Sequence, residues 1–473
     1  MTTTEELQRI HEATMEVLST VGMRFLSPRA QELLKSNGIR VEGEVAYFTE
    51  EQLMHWVKMA PNSFTVYARN PKYDVVIGGD EVNSAPPYGS PYIADAAGAR
   101  RPGTIADYVD FVKLFEVNED FKINGGLIVQ PQDVDVETSA LSMLYAGITH
   151  SEKVMQVAAG KHELMDALMD VTAALFGGKE AIKERPRLLT IIDVNSPLMF
   201  DTHMTDAMFS FCENGQPFTV ANCSMAGATA PMSMAASMVA INAEVLPVIA
   251  LAQMINPGNP VIYGSQATTA DMATGQIACG APEGALLHAY TTEMARFYGI
   301  PSRGGGALTD SKMADAQAGY ESMATLLTCY NNRMNYIIHA AGILDGYSTV
   351  SFEKTIMDFE VVRYCERMKR GCEVTDELLA VDEFKECGHF GEHLTSDFTL
   401  EHCRDEAMVP MISSRGVVAD PTTQMNNRIQ AQKERMLAAY KQPALDDEAR
   451  LAVRDILAGA GVPTETLDLI ETL

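Results

Sequence analysis

The stretch FTVANCSMAGATAPMSMAASMVAINAEVLPVIALAQMINPGNPVIYGS, residues 218–265, decides the fold. FTVANC (218–223) and PVIYGS (260–265) are short, rich in branched residues, and end in small or polar residues, as buried strands do. The apolar run between them, at 233–255, has the length and composition of a helix. A strand, a helix and a second strand in this order predict two parallel strands of one sheet.

The same alternation extends outward in both directions. Further candidate strands are KINGGLIV (122–129), KVMQVAA (153–159), RLLTIID (187–193), IPSRGG (300–305) and NYIIHAAG (335–342), with a weaker eighth at MVPMISS (408–414). A near-continuous series of this length favours a closed (β/α)8 barrel of the TIM type. An open doubly wound sheet also fits the alternation, although no GxGxxG follows the first strand.

The flanks of the series differ from it. Residues 1–105 mix short helices and turn-rich strands and predict an α+β cap. The barrel is expected over 106–425, opened by a helix with Thr104 as its N-cap and Asp107 in the capping-box position. Residues 426–473 predict closing C-terminal helices.

Charge and composition exclude several classes of partner. The formal net charge is −27, which disfavours nucleic acid and an anionic membrane surface. No run of consecutive apolar residues reaches the ~18 that a membrane span needs, and the acidic N-terminus does not resemble a signal peptide. The cysteines form no CxxC pair, as is typical of reduced cytosolic thiols. A cytoplasmic protein is expected.

In a barrel, functional side chains collect where strands end. The predicted strand ends are mostly polar and uncharged, and they include Asn195, Gln266, Arg303 and His339, with Asp193 beside Asn195. They suit the orientation of a small ligand better than acid–base chemistry. The loops add aromatic residues whose faces can hold a quaternary ammonium ion by cation–π attraction, although packing is the commoner role: Tyr88, Tyr92, Tyr347, Phe390 and Phe398.

Other catalytic motifs are weak or absent. RGGGALTDSK (303–312) lacks the GxxxxGK[ST] pattern and fits a tight turn better than a phosphate loop. His389 and His393 are four residues apart, as zinc ligands on a helix can be, yet Gly388 and Gly391 disfavour a helix and no third ligand is evident. No GxSxG indicates a serine nucleophile.

Ordered sequence blocks along the whole chain resemble the trimethylamine methyltransferase family of corrinoid methyltransferases. They include IHEATMEVLSTVGMRFLSP, APNSFTVYARNP, PYGSPYIAD, IVQPQDVDVE, VNSPLMFD, ENGQPFTVANCSMAGATAP, INPGNPVIYGS, GAPEGALLHAY, PSRGGGALTDSKMADAQAGYES, HAAGILDGYSTVSFEKTIMDFE and GHFGEHLTSDFTLEHCRDE. The resemblance implies a TIM-type barrel that transfers a methyl group from a methylated amine to the Co(I) corrinoid of a separate protein. No metal is then expected in this chain.

Three departures from the family pattern bear on the substrate. No pyrrolysine is written in this sequence, Phe398 stands where the family pattern has histidine, and the stretch after the fifth strand is QATTADMATGQ. A quaternary ammonium leaves as a neutral amine, so its demethylation needs no special electrophile. The resemblance therefore implies a betaine-type substrate, such as glycine betaine, proline betaine, carnitine or γ-butyrobetaine, in one-carbon metabolism of the anaerobic methylotrophic kind.

The site expected from this resemblance binds substrate and contains no assigned acid or base. Tyr88, Tyr92 and Tyr347 are expected to supply ring faces, with Asn195, Gln266 and His339 as orienting groups. His339, Arg303 or the amides of 304–306 are candidates for the substrate carboxylate. His389 and Phe390 complete the expected substrate-binding set: Tyr88, Tyr92, Asn195, Gln266, Arg303, His339, Tyr347, His389 and Phe390.

Asp310 could balance charge near the cation, although capping of the following helix is the stronger expectation. The alternative functions are a betaine-binding or sensing protein without catalysis and a zinc enzyme using His389 and His393. A homo-oligomer is expected.

Overall fold

The computed structural model describes residues 2–417 and 424–473. The α-helices within these residues are α1 (Thr4–Thr20), α2 (Pro28–Ser36), α3 (Glu50–Val57), α4 (Ile105–Val117), α5 (Ser139–His150), α6 (His162–Phe176), α7 (Lys179–Glu184), α8 (Thr202–Glu213), α9 (Met234–Ile255), α10 (Pro282–Tyr298), α11 (Ala316–Asn331), α12 (Phe352–Arg370), α13 (Val381–Cys387), α14 (Asp397–Glu406), α15 (Gln424–Ala439), α16 (Asp447–Gly459) and α17 (Thr464–Thr472).

The strands in the same residues are short. They are β1 (Met23–Phe25), β2 (Arg40–Glu42), β3 (Val45–Tyr47), β4 (Ser63–Val66), β5 (Val75–Gly78), β6 (Asn83–Ser84), β7 (Tyr92–Ala94), β8 (Arg100–Pro102), β9 (Ile123–Gly125), β10 (Val154–Gln156), β11 (Leu188–Val194), β12 (Met199–Phe200), β13 (Phe218–Asn222), β14 (Met225–Ala226), β15 (Val261–Ser265), β16 (Thr268–Ala270), β17 (Ile277–Ala278), β18 (Ser302–Gly304), β19 (Tyr336–Ile337), β20 (Ile343–Leu344) and β21 (Thr349–Val350).

A parallel sheet forms the centre of the molecule. Its described strands pair in the order β6, β19, β18, β15, β13, β11, β10, β9, and each neighbouring pair is parallel. The two ends of this order meet just beyond β6 and β9, where Ser90 bridges Val129 and the Gln130 amide donates to the Ser90 carbonyl at 2.8 Å. The sheet thus closes on itself, and the predicted TIM-type barrel is confirmed.

The prediction of a strand at 408–414 is wrong, because those residues form no strand. The missing strand is β6, near the beginning of the chain, which pairs with β19 through Asn83 and Ser84. It is too short to give a strand pattern in sequence. The segment 1–105, expected to be a cap, therefore contributes a strand to the barrel itself.

The hairpin β4–β5 closes the N-terminal end of the barrel. Val66, Val75 and Ile77 pack in one buried cluster with barrel residues such as Leu189 and Tyr336. Nearby, the Tyr67 amide donates to the carbonyl of Pro186, just before β11 begins. Ligand access is therefore left to the opposite end, where the strands finish.

Helices surround the barrel, and their ends follow local sequence signals. Thr104 accepts from the Asp107 amide at 3.2 Å while Asp107 accepts from the Thr104 amide at 3.0 Å, which confirms the predicted capping box at α4. At the other end of the chain, α15 packs on α12 and α4, α16 on α6, and α17 on α5.

Helix α9 corrects an expectation from the sequence. By length and composition it could cross a membrane, although the chain was expected to hold no such segment. In the structure, 72% of its most apolar window is buried inside the protein, against α1, α3, α8, β13 and β15. The apolar character of α9 is thus that of a helix covered on most sides by its own protein.

Candidate functional site

Two side chains indicate a cavity at the C-terminal end of the barrel. Asp193 is the second-last residue of strand β11, and Cys223 directly follows β13. Both side chains are surrounded by protein atoms and yet stay accessible to water. Side chains combine these two properties when they form the wall of an internal cavity. Burial raises the pKa of the Asp193 carboxyl, and it raises the pKa of Cys223 to about 11.

Arg303 is the buried cation of this cavity. It belongs to β18, is 3% exposed, and its Nε atom is buried with no hydrogen-bond partner. Burial lowers the pKa of its guanidinium, and Asp193 is the charge that most opposes this shift. The two groups do not form an ion pair within 4.0 Å, so neither charge is neutralised by direct contact with the other.

Tyr88 and His339 form one side of the cavity. The Tyr88 amide donates to Nδ1 of His339 at 3.2 Å, which assigns the ring proton to Nε2. Burial, with Arg303 and His288 nearby, lowers the pKa of His339 well below its usual range, so the imidazole is neutral. The Tyr88 hydroxyl interacts with Thr190 and lies in the field of Asp193 and Arg303, and burial raises its pKa.

Tyr347 and Gln266 continue the wall next to His339. The Tyr347 ring packs on His339 with 4.9 Å between ring centroids, and Nε2 of Gln266 donates to its hydroxyl at 2.8 Å. The same nitrogen donates to the Gly305 carbonyl at 3.0 Å, while Oε1 of Gln266 is buried without a partner. This arrangement leaves an amide acceptor available to a bound molecule or water.

A buried carboxylate supports the loop that follows β11. Glu244, on α9, accepts hydrogen bonds from the Ser196 hydroxyl at 2.6 Å, the Leu198 amide at 3.0 Å and the Asn222 side chain at 2.7 Å. These bonds join the loop after β11 to the end of β13. Asp193, near the end of β11, and Cys223, directly after β13, are therefore positioned through α9.

An open depression of about 710 Å³ lies outside the cavity. It is lined by Arg100, Asp271, Thr274, Gln276, Ile277, Ala278, Asp310, Lys312, Asp345, Gly346 and Ser348. Gly346 and Ser348 flank Tyr347, whose ring reaches into the cavity and whose φ of 72° lies in the left-handed region. Tyr347 thus stands between the outer depression and the inner cavity.

The glycine-rich turn after β18 serves packing as well as the cavity wall. The Gly305 amide donates to Nδ1 of His288 at 3.3 Å and is therefore already occupied. A Cβ on Gly306 would lie 2.6 Å from two backbone carbonyl oxygens, and its φ is +131°, so glycine is required there. The expected capping role of Asp310 is wrong, because Asp315 caps α11 while Asp310 accepts from the amides of Cys279 and Gly280.

The structure brings together part of the predicted set: Tyr88, Gln266, Arg303, His339 and Tyr347. Tyr92 lies apart on β7, paired with β8 and β21 and 39% exposed, and Asn195 is exposed with its backbone paired to Met199. His389 and Phe390 are exposed, and Phe390 is fully so, in the segment between α13 and α14. Nothing in the structure places these two against the cavity.

Sequence reasoning missed Asp193 and Cys223 as members of the site. The sequence places Asp193 at a strand end, yet a single carboxylate among neutral groups suggests no acid–base pair. Cys223 follows β13 in the same way, and its position at a strand end was the signal that could have found it.

One of the two histidines considered as zinc ligands, His393, has another partner. Nδ1 of His393 lies 2.9 Å from Oε1 of Glu383, and the pair is on the surface. Within residues 2–417 and 424–473, no group of three or more His, Cys, Asp or Glu side chains is arranged to hold a metal ion.

Comparisons with known proteins agree with the resemblance seen in the sequence. Over 462 residues the chain is 39% identical to the glycine betaine methyltransferase of Desulfitobacterium hafniense, covering 97% of this chain and 96% of that protein. It is 30% identical to the proline betaine:corrinoid methyltransferase of Eubacterium limosum, covering 93% and 94%. It is 29% identical to the L-carnitine:corrinoid methyltransferase of the same organism, covering 87% and 86%.

The expectation of family membership is confirmed by a match that spans both the barrel and its flanking elements. Residues 1–459 match the family model described as trimethylamine methyltransferase. The chain therefore belongs to the trimethylamine methyltransferase (MTTB) family.

Proposed function

We propose that this protein transfers a methyl group from a betaine-type quaternary amine to the corrinoid of a separate corrinoid protein. The family and the names of the relatives support methyl transfer, and two of those names contain the word corrinoid. The choice of a betaine rests on one observation in the cavity: the buried guanidinium of Arg303 has no hydrogen-bond partner.

An unpaired buried guanidinium is costly unless an anion joins it. A betaine carboxylate can accept two parallel N–H bonds from arginine, each assisted by charge. A simple methylamine has no anionic group, and its cation would be repelled by Arg303. The arginine thus supports a zwitterion as substrate.

The rest of the cavity suits the cationic end of such a molecule. Tyr88 and Tyr347 offer ring faces, the His339 imidazole is neutral, and Asp193 is a carboxyl group that does not contact Arg303. A desolvated quaternary ammonium gains up to about 2 kcal/mol from an aromatic face. A cation and a carboxyl group in the same cavity would also orient the zwitterion before reaction.

The chemistry asks little of the chain's acids and bases. When bound, the corrinoid supplies a nucleophilic Co(I), and the amine leaves without a proton because its nitrogen is already positive. The chain binds the substrate, aligns one methyl group and excludes water.

The geometry at the barrel mouth fits the approach of a corrinoid held by another protein. The outer depression adjoins Tyr347 and is open to solvent, so a flat macrocycle could approach the substrate there. On the wall of this depression, Asp345 forms ion pairs with Arg100 and with Lys312. These three side chains would contact the macrocycle or its protein.

A methyl-transfer assay tests the proposal. Purified protein is mixed with cob(I)alamin and with glycine betaine, proline betaine, L-carnitine or trimethylamine in turn, and the absorbance change to methylcob(III)alamin is followed. We expect transfer from at least one betaine and none from trimethylamine. Transfer from trimethylamine alone would refute the betaine assignment, and calorimetric binding of betaine without methyl transfer would indicate a binding protein instead.

A further inference from the structure

Residues 371–409, called here the exposed segment, display many apolar side chains to solvent. No residue of α13 or α14 is buried. The large apolar side chains that are at least half exposed are Val374, Leu379, Val381, Phe384, Phe390, Leu394, Leu400 and Val409. Together they expose on the order of several hundred Å² of apolar surface, which in a folded protein marks an interaction site.

A depression rich in arginine adjoins the exposed segment and shares its last residues. This arginine depression has a volume of about 590 Å³ and is lined by Asp120, Arg333, Arg363, Glu366, Arg367, Lys369, Arg370, Arg404, Asp405, Ala407, Met408 and Val409. Cations outnumber acids in this lining, although the chain as a whole has a net charge of −27.

Helix α12 explains only some of these cations. Arg367, Lys369 and Arg370 stand in its last turn, where the helix dipole favours positive charge. Arg367 pairs with Glu406 at 3.2 Å, Lys369 pairs with Glu366 at 2.8 Å, and Arg370 donates to the Asp405 carbonyl.

The remaining cations have no such explanation. Arg333 precedes β19, Arg363 lies farther up α12, and Arg404 belongs to α14, so three different elements supply them. Across residues 2–417 and 424–473, none of their guanidinium groups finds a hydrogen-bond or ion-pair partner, although Arg363 acts through space on Asp120 in the same lining. Three unpaired arginines beside one another in an acidic protein indicate that an anionic group from elsewhere joins them.

The position of this surface decides which partner it can take. Asp120 and Arg333 precede β9 and β19, so the arginine depression lies at the N-terminal end of the barrel, opposite the cavity. A corrinoid protein must reach the cavity to accept a methyl group, an argument that rests on the proposed function. It is therefore not the occupant of this surface.

The exposed segment itself carries the matching charges. Glu373, Asp376 and Glu386 are exposed acidic residues among the apolar side chains. One continuous surface thus presents apolar groups, carboxylates and unpaired arginines. A surface that contains both halves of a complementary contact can pair with its own copy about a twofold axis.

We propose that the exposed segment and the arginine depression form the interface of a homodimer. The acidic, apolar segment of one copy covers the arginine depression of the other, and the reverse contact is made at the same time. Phe390 and Leu394 are the apolar anchors, and Arg333, Arg363 and Arg404 receive carboxylates of the second copy.

Sedimentation velocity of the full chain over a dilution series tests this arrangement. We expect a species of twice the 51.6 kDa chain mass. Replacement of both anchors, Phe390→Asp with Leu394→Asp, raises the dissociation constant about thirtyfold or more, because aromatic anchors dominate interface energies. Both positions are exposed, so the barrel is expected to fold, and a thermal melt of the same sample checks this.

Two further variants separate the parts of the proposal. The double variant Arg333→Glu with Arg404→Glu should weaken association, since it places acids against acids. The control is Val136→Asp, which should leave the mass unchanged. Val136 is an apolar residue that is 74% exposed in a distant turn. A monomeric wild-type chain would overturn the proposal. So would a monomer that binds a corrinoid protein through this surface. So would an oligomer whose mass is insensitive to the paired Phe390 and Leu394 substitutions.

Discussion

Arg303 shows how one residue can restrict the substrate of a whole barrel. A guanidinium that is 3% exposed and has no hydrogen-bond partner stays charged only at a cost, and the structure places Asp193 where it relieves part of that cost through space. The sequence indicated Arg303 and His339 because both end predicted strands. It did not indicate that Asp193 opposes Arg303, since distances across a barrel depend on every strand's register.

Replacement of Arg303 should remove the preference for a carboxylate. We expect Arg303→Met, which keeps an unbranched stem and removes the guanidinium, to lower kcat/KM for glycine betaine about a hundredfold, the loss of roughly 3 kcal/mol from a charge-assisted bidentate contact. Choline, which has the same trimethylammonium group and no carboxylate, serves as the comparison substrate. Equal losses for both compounds would show that Arg303 supports the fold and does not bind the carboxylate.

A second prediction concerns His288, which lies on α10 behind the glycine turn. Burial lowers its pKa from 6.5 to about 3, and its Nδ1 accepts from the Gly305 amide. Between these values the unfolded chain binds more protons than the folded one, so stability falls as the pH drops below 6.5. From pH 7 to pH 5, the protonation of His288 on unfolding should lower the free energy of unfolding by about 2 kcal/mol.

Urea unfolding at both pH values measures this contribution. The His288→Gln variant should lose about 2 kcal/mol less than the wild type over that interval, whereas His203→Gln, at an exposed position on α8, should follow the wild type. Parallel losses in all three proteins would contradict the assignment.

Among the elements, α9 connects packing to the site. Its sequence predicted a helix correctly, since a long apolar run between two strand patterns has few alternatives. What the sequence could not show was the role of Glu244, a single acid in that run, because its partners come from separate parts of the chain: Ser196 and Leu198 from the loop after β11, and Asn222 from the end of β13. A buried carboxylate without a cation persists here because three donors satisfy it.

Loss of Glu244 should therefore affect both stability and catalysis. In Glu244→Gln the new amide group faces the Asn222 amide, and we expect a loss of about 1–3 kcal/mol in the free energy of unfolding. The loop after β11 then shifts beside Asp193, so kcat should fall even where the protein is saturated with substrate. Denaturant unfolding and initial rates measure the two effects, and unchanged kcat in a destabilised protein would limit Glu244 to a structural role.

At the scale of the whole molecule, the number of barrel strands was the hardest feature to predict. Seven strand–helix repeats gave the fold class, because each repeat carries its own local pattern. The closing strand β6 spans only Asn83 and Ser84 and is held by its neighbours rather than by its own composition. The sequence therefore suggested a strand at the far end of the chain, whereas the barrel closes at its beginning.

Closure through the N-terminal segment can be tested with one substitution. The Ala85 amide donates to the Ile337 carbonyl at 2.8 Å and continues the pairing of β6 with β19, so Ala85→Pro removes this bond and leaves a buried acceptor unpaired. We expect a loss of about 2 kcal/mol in the free energy of unfolding. Ala96→Pro is the matched control, because Ala96 occupies the second position of the turn closed by the Gly98 amide and the Asp95 carbonyl, where proline is favoured. If the two variants were equally stable in urea, the pairing of β6 with β19 would not contribute measurably to the stability of the barrel.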